Sequence, residues 1–582
     1  LSAKPIILGN ASLDRFDALV IGSGASGGAV AAMLTRNGQK VLVLEAGPNY
    51  FPGIDLPDAA TLPGAPAGQP LPQFGNDELR LLHRYQIQPD PLTEPRTFRH
   101  SVADGDRLRV GDFANFAKTV GGGATHADLK TPRFIPDDFR LATLFGADAT
   151  KDGASFVDWP VQYDEIEPFY LHAERLMGVQ GADGVDPFAG KRSGPYPTPP
   201  GAAMYVSSKM AAGVSQLGYT LFACPTAINS LPYDGRPACN DCGFCQGTPC
   251  AINAKGTPGV TTLRKALLTG NCQLRPETRA VRLLVDGAGT SITGVEAILP
   301  DGSRAMFAAD RYVLAANPIE DVRLLYLSGS GGAALGNSSG LVGRNLMLHR
   351  GVNVLGVFED QLHGHRGRGS DHAFTDFRQP ANRAVPVGGI VVVQTVPYLI
   401  QQAQTYLDQF GALGVKGALL KKMLRQARPR DRLINLSMYG EDAPQPTNTV
   451  DLDPAIRDID GIPVARLTYR EHAYEVSAQQ FYVPKMIDIL GAAGARFAAP
   501  IAPGDPPGSG HLMGTLRFGA DPATSVCRPD GRFHDIGNLY GTGASLFPTS
   551  SGFNPTLTIT MLASYVAASI VSPGSPERAL PG

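Results

Sequence analysis

Three observations predict an α/β chain, α+β overall, with a parallel-sheet unit built from separated segments and a sheet-and-helix domain inserted between them. The first is residues 16–47, FDALVIGSGASGGAVAAMLTRNGQKVLVLEAG, which read strand, glycine turn, helix, strand, acid. The second is the late return of the same grammar. An apolar strand recurs at 312–316 (YVLAA), another ends in NLYG at 538–541, and a small-residue turn then leads into an apolar run from Pro555. The third is the text between. Residues 350–500 mix strand patterns with amphipathic helices and carry no phosphate-binding signature.

The opening stretch is the most explicit. Gly22, Gly24 and Gly27 have G-x-G-x-x-G spacing after the apolar run 18–21, and Glu45 closes a second apolar run, 41–44. The first glycine allows a tight turn, the second lets backbone approach a pyrophosphate, and the third lets helix pack on strand. The helix N-terminus faces the phosphate charge, and an acid ~20 residues on can accept from ribose hydroxyls. The unit is therefore Rossmann-like and binds a dinucleotide, of a kind the spacing alone leaves open.

Further along, residues 51–100 are rich in Pro and Gly and read as covering loops. VGGGATHA at 120–127 sets three consecutive glycines before His126, allowing backbone conformations closed to other residues. Helices are expected from Tyr163 through Met177 and over 205–217. Residues 262–317 read as alternating strands, the middle ones a hairpin array inserted before the chain returns to the nucleotide sheet. Residues 336–349 read as a turn-rich joint, 405–428 and 474–493 as helices, and the last residues as a loose tail. The expected division is 14–60, 205–350 and 508–570 for the nucleotide domain, 61–204 and 351–507 for a cap and substrate domain, and 571–582 for the tail.

Composition narrows the function classes. A formal net charge of −2 gives no sign of a polyanion partner, so no nucleic acid is expected. No run approaches the ~20 apolar residues of a membrane span. A soluble protein is expected, with periplasm and cytoplasm both open. Seven cysteines are too few for a disulfide-stapled chain, and four crowd into Cys239, Cys242, Cys245 and Cys250 as C-x-x-C-x-x-C-x-x-x-x-C. That density fits iron–sulfur ligation, although the last gap is one residue longer than the bacterial ferredoxin run. Zinc, two disulfides and free thiols are the alternatives.

Taken together, GSGASGGAV, VGGGATHA, GNSSGLVGRNLMLH, HLMGTLRFGADP and ASLFPTSSGFNPTLTITMLA resemble the glucose–methanol–choline (GMC) flavin oxidoreductases over most of the chain. DWPVQYDEIEPFY and CNDCGFCQGTPCAINAKG resemble the branch containing the large subunits of bacterial gluconate, fructose and FAD-dependent glucose dehydrogenases. The resemblance implies FAD as the dinucleotide and oxidation of an alcohol group of a sugar, sugar acid or polyol by hydride transfer. The electron acceptor would be a cytochrome, a quinone or dioxygen. The branch further implies a three-iron cluster on the cysteines and a small or cytochrome subunit as partner.

It also implies the site. Removing hydride from a carbinol requires a base for the hydroxyl proton, a task suited to histidine. His511 and Asn554 match the family's active-site histidine and its paired His/Asn position. Pro555 and Thr556 mark a helix start whose dipole would steady an anionic reduced flavin. Gly122 and Ala544 join the opening glycines and Glu45 as cofactor contacts, with Gly543 standing where many family members have Asp. His126 matches a position that carries FAD covalently in some sugar-oxidising members, including pyranose oxidases, and packs against it noncovalently in others. His349, His472 and His534 are expected to be structural, and His363 and His365 to lie in a solvated basic loop. Two alternatives stand beside this reading. One is an FAD oxidase of glycosides or natural products that uses dioxygen. The other is a noncatalytic flavin-binding partner protein.

Overall fold

The computed structural model describes residues 8–9, 15–49, 91–114, 116–243, 245, 247, 249–364, 366–378, 387–395, 411, 414–425, 431–501, 504 and 510–581. The nucleotide sheet has six strands in the order Leu8–Gly9, Cys272–Arg275, Val41–Leu44, Ala18–Ile21, Arg311–Leu314, Leu539–Gly541. All pairs are parallel except that of Leu8–Gly9. Ala18–Ile21 and Val41–Leu44 are buried at every residue, which is why they read as unbroken apolar runs. Helices Ala25–Arg36 and Thr556–Val571 pack on each other, the first also on Ala18–Ile21 and Val41–Leu44. Gly22 has φ +102, and a Cβ there would lie 2.6 Å from the Ala315 carbonyl oxygen, so the turn after the first strand admits only glycine.

A three-stranded antiparallel array, Arg279–Val285, Ile292–Ile298 and Arg304–Phe307, precedes the return strand as expected. A six-stranded sheet joins Met513–Thr515, Arg344–Met347, Thr449–Arg457, Pro463–Thr468, Arg96–Arg99 and Arg109–Gly111. The second large sheet is antiparallel throughout: Phe497–Ile501, Val352–Val357, Leu433–Met438, Val391–Gln394, Ser370–Phe374, Phe222–Ala223. One face of it, with Val354, Val393 and Leu436, forms a core with Met210 of helix Tyr205–Gln216 and Met486 of helix Ala473–Ala492.

Several local expectations need correction. Thr262–Leu268 is helical, because its short apolar stretch buries Leu263, Ala266 and Leu267 on one side at helical spacing. The joint at 336–349 contains the strand Arg344–Met347, and the loops of 51–100 contain Arg96–Arg99. Residues 51–90 lie outside the described residues, as do His365 and residues 405–410, 412–413 and 426–428 of the helix expected over 405–428; Gly417–Arg425 is helical. The C-terminal segment is not loose. Ala579 is buried, and its carbonyl accepts from Asn37 Nδ2 at 3.3 Å. No helix among the described residues is long and apolar enough to cross a membrane.

Candidate active site

The carboxyl ends of the parallel strands open on a cavity of about 990 Å³, at the large end for ligand sites. Gly22, Gly24, Glu45, Gly122, His126, His511, Ala544, Asn554, Pro555 and Thr556 all line it. Gly27 lies behind the wall. A Cβ there would sit 1.9 Å from the Gly22 carbonyl oxygen, so it serves the closeness of helix to turn.

Glu45 organises the dinucleotide end. Its Oε2 accepts from the Ser23 amide (3.0 Å) and hydroxyl (2.6 Å), and its Oε1 from the Gly47 amide (2.9 Å). Burial raises its pKa, against these hydrogen bonds. Ser23 Oγ also accepts from the Gly121 amide at 3.0 Å, which ties the first glycine turn to the triple glycine. There a Cβ on Gly122 would approach the Gly24 Cα to 3.0 Å, so two bare backbones face each other.

The opposite end is a chain of three polar side chains. His349 Nε2 lies 2.9 Å from the Ser550 carbonyl, which can only accept, so Nε2 carries the hydrogen. Burial holds the His349 pKa down to about 4, so the ring is neutral and its Nδ1 is an acceptor. His511 Nδ1 is 3.0 Å from it and must therefore donate. This leaves His511 Nε2 with its lone pair, 3.4 Å from Asn554 Nδ2. Burial first, then His349 and the Lys130 charge, push the His511 pKa well below the ordinary histidine value. The ring thus stands neutral at pH 7, as a base must. Asn554 Oδ1 is buried with no hydrogen-bond partner among the described residues.

The backbone under these groups is held in unusual conformations. His349 and Ser551 have φ of 52° and 55°, a left-handed region that side chains rarely adopt and that recurs at functional sites. Asp442 carries this stretch: its carboxylate accepts from the amides of Leu348 (2.6 Å) and Arg350, and its own amide donates to Ser550 Oγ at 2.9 Å. Sequence reasoning left His349 as structural. The structure sets it against the candidate base from 162 positions away, and no signal in the linear text marks that pairing.

His126 ends the triple-glycine turn. Its Nδ1 is buried without a partner among the described residues, and burial, then Lys255, lower its pKa to about 4. Two orphaned buried atoms, His126 Nδ1 and Asn554 Oδ1, therefore face a cavity whose other end is a bare glycine cradle. A flavin dinucleotide fits this set.

The cysteine loop lies apart from this set. Among the described residues no three His, Cys, Asp or Glu side chains gather in a metal-binding group, and Cys224, Cys239, Cys245, Cys250, Cys272 and Cys527 are free thiols. Cys239 and Cys250 pack with buried Cys245 beside Ile228 and Ala254. Burial pushes the Cys239 thiol up to about 12 and Cys245 higher still. Cys239, Cys242, Cys245 and Cys250 stand as a proposed ligand set on spacing and family resemblance alone. Cys224, Cys272 and Cys527 are buried singly, as expected.

A glycine-cradled dinucleotide pocket ending in a neutral His–Asn pair defines a flavin-dependent oxidoreductase of alcohol groups. Family models described as GMC oxidoreductase match residues 161–351 and 444–563, and the chain belongs to the GMC oxidoreductase family. It is 30% identical to 6'''-hydroxyparomomycin C oxidase of Streptomyces lividus, across 97% of this chain and 93% of that one. It is 28% identical to the fructose dehydrogenase large subunit of Gluconobacter japonicus, across 96% and 98%. Among solved structures, formate oxidase of Aspergillus oryzae RIB40 superposes with a TM-score of 0.62 at 14% identity, covering 97% and 99%, a likeness of fold.

Proposed function

We propose that the chain oxidises an alcohol group of a sugar, sugar acid or polyol, with His511 Nε2 taking the hydroxyl proton. The observation that carries this is the fixed tautomer of His511, set by the Ser550 carbonyl through His349. FAD, when bound, supplies the hydride acceptor. Gly22, Gly24 and Gly122 leave backbone open to its phosphates, and Glu45 Oε1, which among the described residues accepts from the Gly47 amide alone, keeps a lone pair for a ribose hydroxyl. Pro555 and Thr556 present a helix N-terminus to the cavity, which favours negative charge there. Asn554 orients the substrate oxygen. Once His511 holds the proton, both its ring nitrogens are donors: Nδ1 stays on His349, and Nε2 gains an acceptor if the Asn554 amide turns its Oδ1 to where Nδ2 now stands at 3.4 Å. The two-unit division of the chain is kept, with 205–223 moved to the substrate unit because Phe222–Ala223 pairs with Ser370–Phe374 and Tyr205–Gln216 packs on Ala473–Ala492.

Electrons pass to an external acceptor. A second reading is an oxidase using dioxygen, supported by the likeness to 6'''-hydroxyparomomycin C oxidase. The test is anaerobic addition of glucose, fructose, gluconate or glycerol to the FAD-loaded protein. Bleaching of the flavin by at least one, followed by recolouring with dioxygen or with a cytochrome or quinone acceptor, supports the reading and sorts the acceptor. Full retention of flavin colour with every alcohol contradicts it and favours a noncatalytic flavoprotein. Acid precipitation of the same sample places flavin in the pellet if it is bonded to His126 and in the supernatant if it is not.

A further inference from the structure

The second sheet has one face sealed by apolar packing. Its other face should be apolar too if it served only structure. Instead the strand register brings polar side chains together on it: Asn353 is opposite Ser437, and Gln394 is opposite Asn435. Burying uncharged amides is unfavourable unless their hydrogen bonds are met.

These groups bond to each other in one direction. Asn353 Oδ1 accepts from Ser437 Oγ (2.7 Å) and Asn435 Nδ2 (3.0 Å). Asn435 Nδ2 also donates to Gln394 Oε1 at 3.1 Å, and Gln394 Nε2 donates to the Tyr439 hydroxyl at 3.0 Å. Lys130 Nζ donates to the same hydroxyl at 3.1 Å. Deep in the network Asn435 Oδ1 is buried without a partner among the described residues, and toward the cavity the network leaves donors over. Asn353 Nδ2 has no hydrogen-bond partner among the described residues, and Tyr439, already accepting twice, keeps its own proton to give. Asn353, Ser437, Tyr439 and Lys130 line the cavity, and the Tyr439 ring lies 5.3 Å from the His511 ring. The spare donors thus flank the place where the carbinol must sit.

Charge is balanced at the same wall. Lys130 is paired with Asp128 at 2.8 Å, and Arg350 with Glu471. A carboxylate or ammonium on the substrate would lose its water there without meeting an uncompensated opposite charge.

We propose that Asn353 and Tyr439 form a hydroxyl-reading subsite, braced by Ser437, Asn435 and Gln394, that selects neutral polyhydroxylated alcohols. Its donors take the oxygens of hydroxyls beside the carbon that is oxidised. The inference rests on the alcohol-oxidation reading above and narrows its substrate class. An alcohol with one hydroxyl leaves these donors without the substrate oxygens they would meet, the situation that lets polar sites discriminate.

The test uses FAD-loaded wild type and Asn353→Leu, which keeps volume and removes both donors. Anaerobic flavin reduction is measured with glucose, glycerol, 1-propanol, gluconate and glucosamine, and equilibrium binding of glucose and glycerol is followed by the flavin difference spectrum. The expected result is a fall of about 10–100-fold in the ratio of kcat/KM for glucose or glycerol over 1-propanol, with weaker polyol binding to match. A ratio unchanged within about twofold overturns the subsite, as does a wild type that prefers gluconate or glucosamine to glucose by about tenfold or more. If no alcohol reduces the wild-type flavin, the oxidation reading falls. The binding arm then decides alone: polyol binding lost in Asn353→Leu supports the subsite, and binding retained, or absent in wild type, overturns it. Should Asn353→Leu not fold, Ser437→Ala frees the Asn353 amide with little change of volume. It should lower the same ratio several-fold, and no change overturns the proposal.

Discussion

Replacing His349 with Leu tests whether the tautomer of His511 is set from behind. The substitution strands two buried groups, the Ser550 carbonyl that His349 meets at 2.9 Å and the His511 Nδ1–H that it receives at 3.0 Å. A buried unsatisfied group costs about 1–3 kcal/mol. His511 escapes its share by moving the proton to Nε2, which removes the lone pair aimed at the substrate. Either course raises the barrier by about 1.4–3 kcal/mol, or about 10–100-fold in rate. The assay is stopped-flow flavin reduction by saturating substrate under anaerobic conditions. His349→Gln, whose amide oxygen can accept from His511 Nδ1–H, should recover part of the loss. A folded, flavin-loaded His349→Leu that reduces its flavin within about twofold of wild type would refute the tautomer argument.

The pH profile should carry the same signature. His511 and His349 are held neutral by burial, with His349 at about 4, so protonation stops the base only in acid: kcat/KM should stay level through neutrality and fall below pH 6.5, and an acid limb at or above 6.5 would contradict this. Stability should follow. The folded His349 pKa lies below the unfolded 6.5, so the unfolded chain takes the proton first, and stability present above 6.5 is lost toward pH 4, by about 3 kcal/mol from this residue, read as a falling Tm. Gly22→Ala should cost about 1–3 kcal/mol from the positive φ alone, with more from the clash at Ala315, and should be seen as lost flavin content at lowered Tm.

The nucleotide unit was legible because a parallel sheet covered on both faces leaves a plain trace: ALVI and VLVL are continuous runs bounded by glycine and acid. The hairpin array and the helices Tyr163–Met177 and Ala473–Ala492 were legible from periodicity. Thr262–Leu268 was not, since seven residues opening on Thr fit a strand as well as a helix. His511 and Asn554 could be proposed through family resemblance, but His349 could not. Its role depends on a left-handed backbone and a partner in a distant strand end. The amide ladder was hidden for a related reason: each strand shows one or two polar residues, and only the cross-strand register makes them neighbours. The cysteines are a further case: their spacing and family resemblance suggest ligation, and in the fold Cys239 and Cys250 pack beside buried Cys245.

The central claim is that His511 is the base for alcohol oxidation, and His511→Ala tests it most directly. General-base removal typically costs 10²–10⁴-fold, so the variant should bind FAD in full and reduce it about 10²–10⁴ times more slowly than wild type with the best substrate of the panel. Near-normal flavin reduction by the FAD-loaded variant would contradict the account.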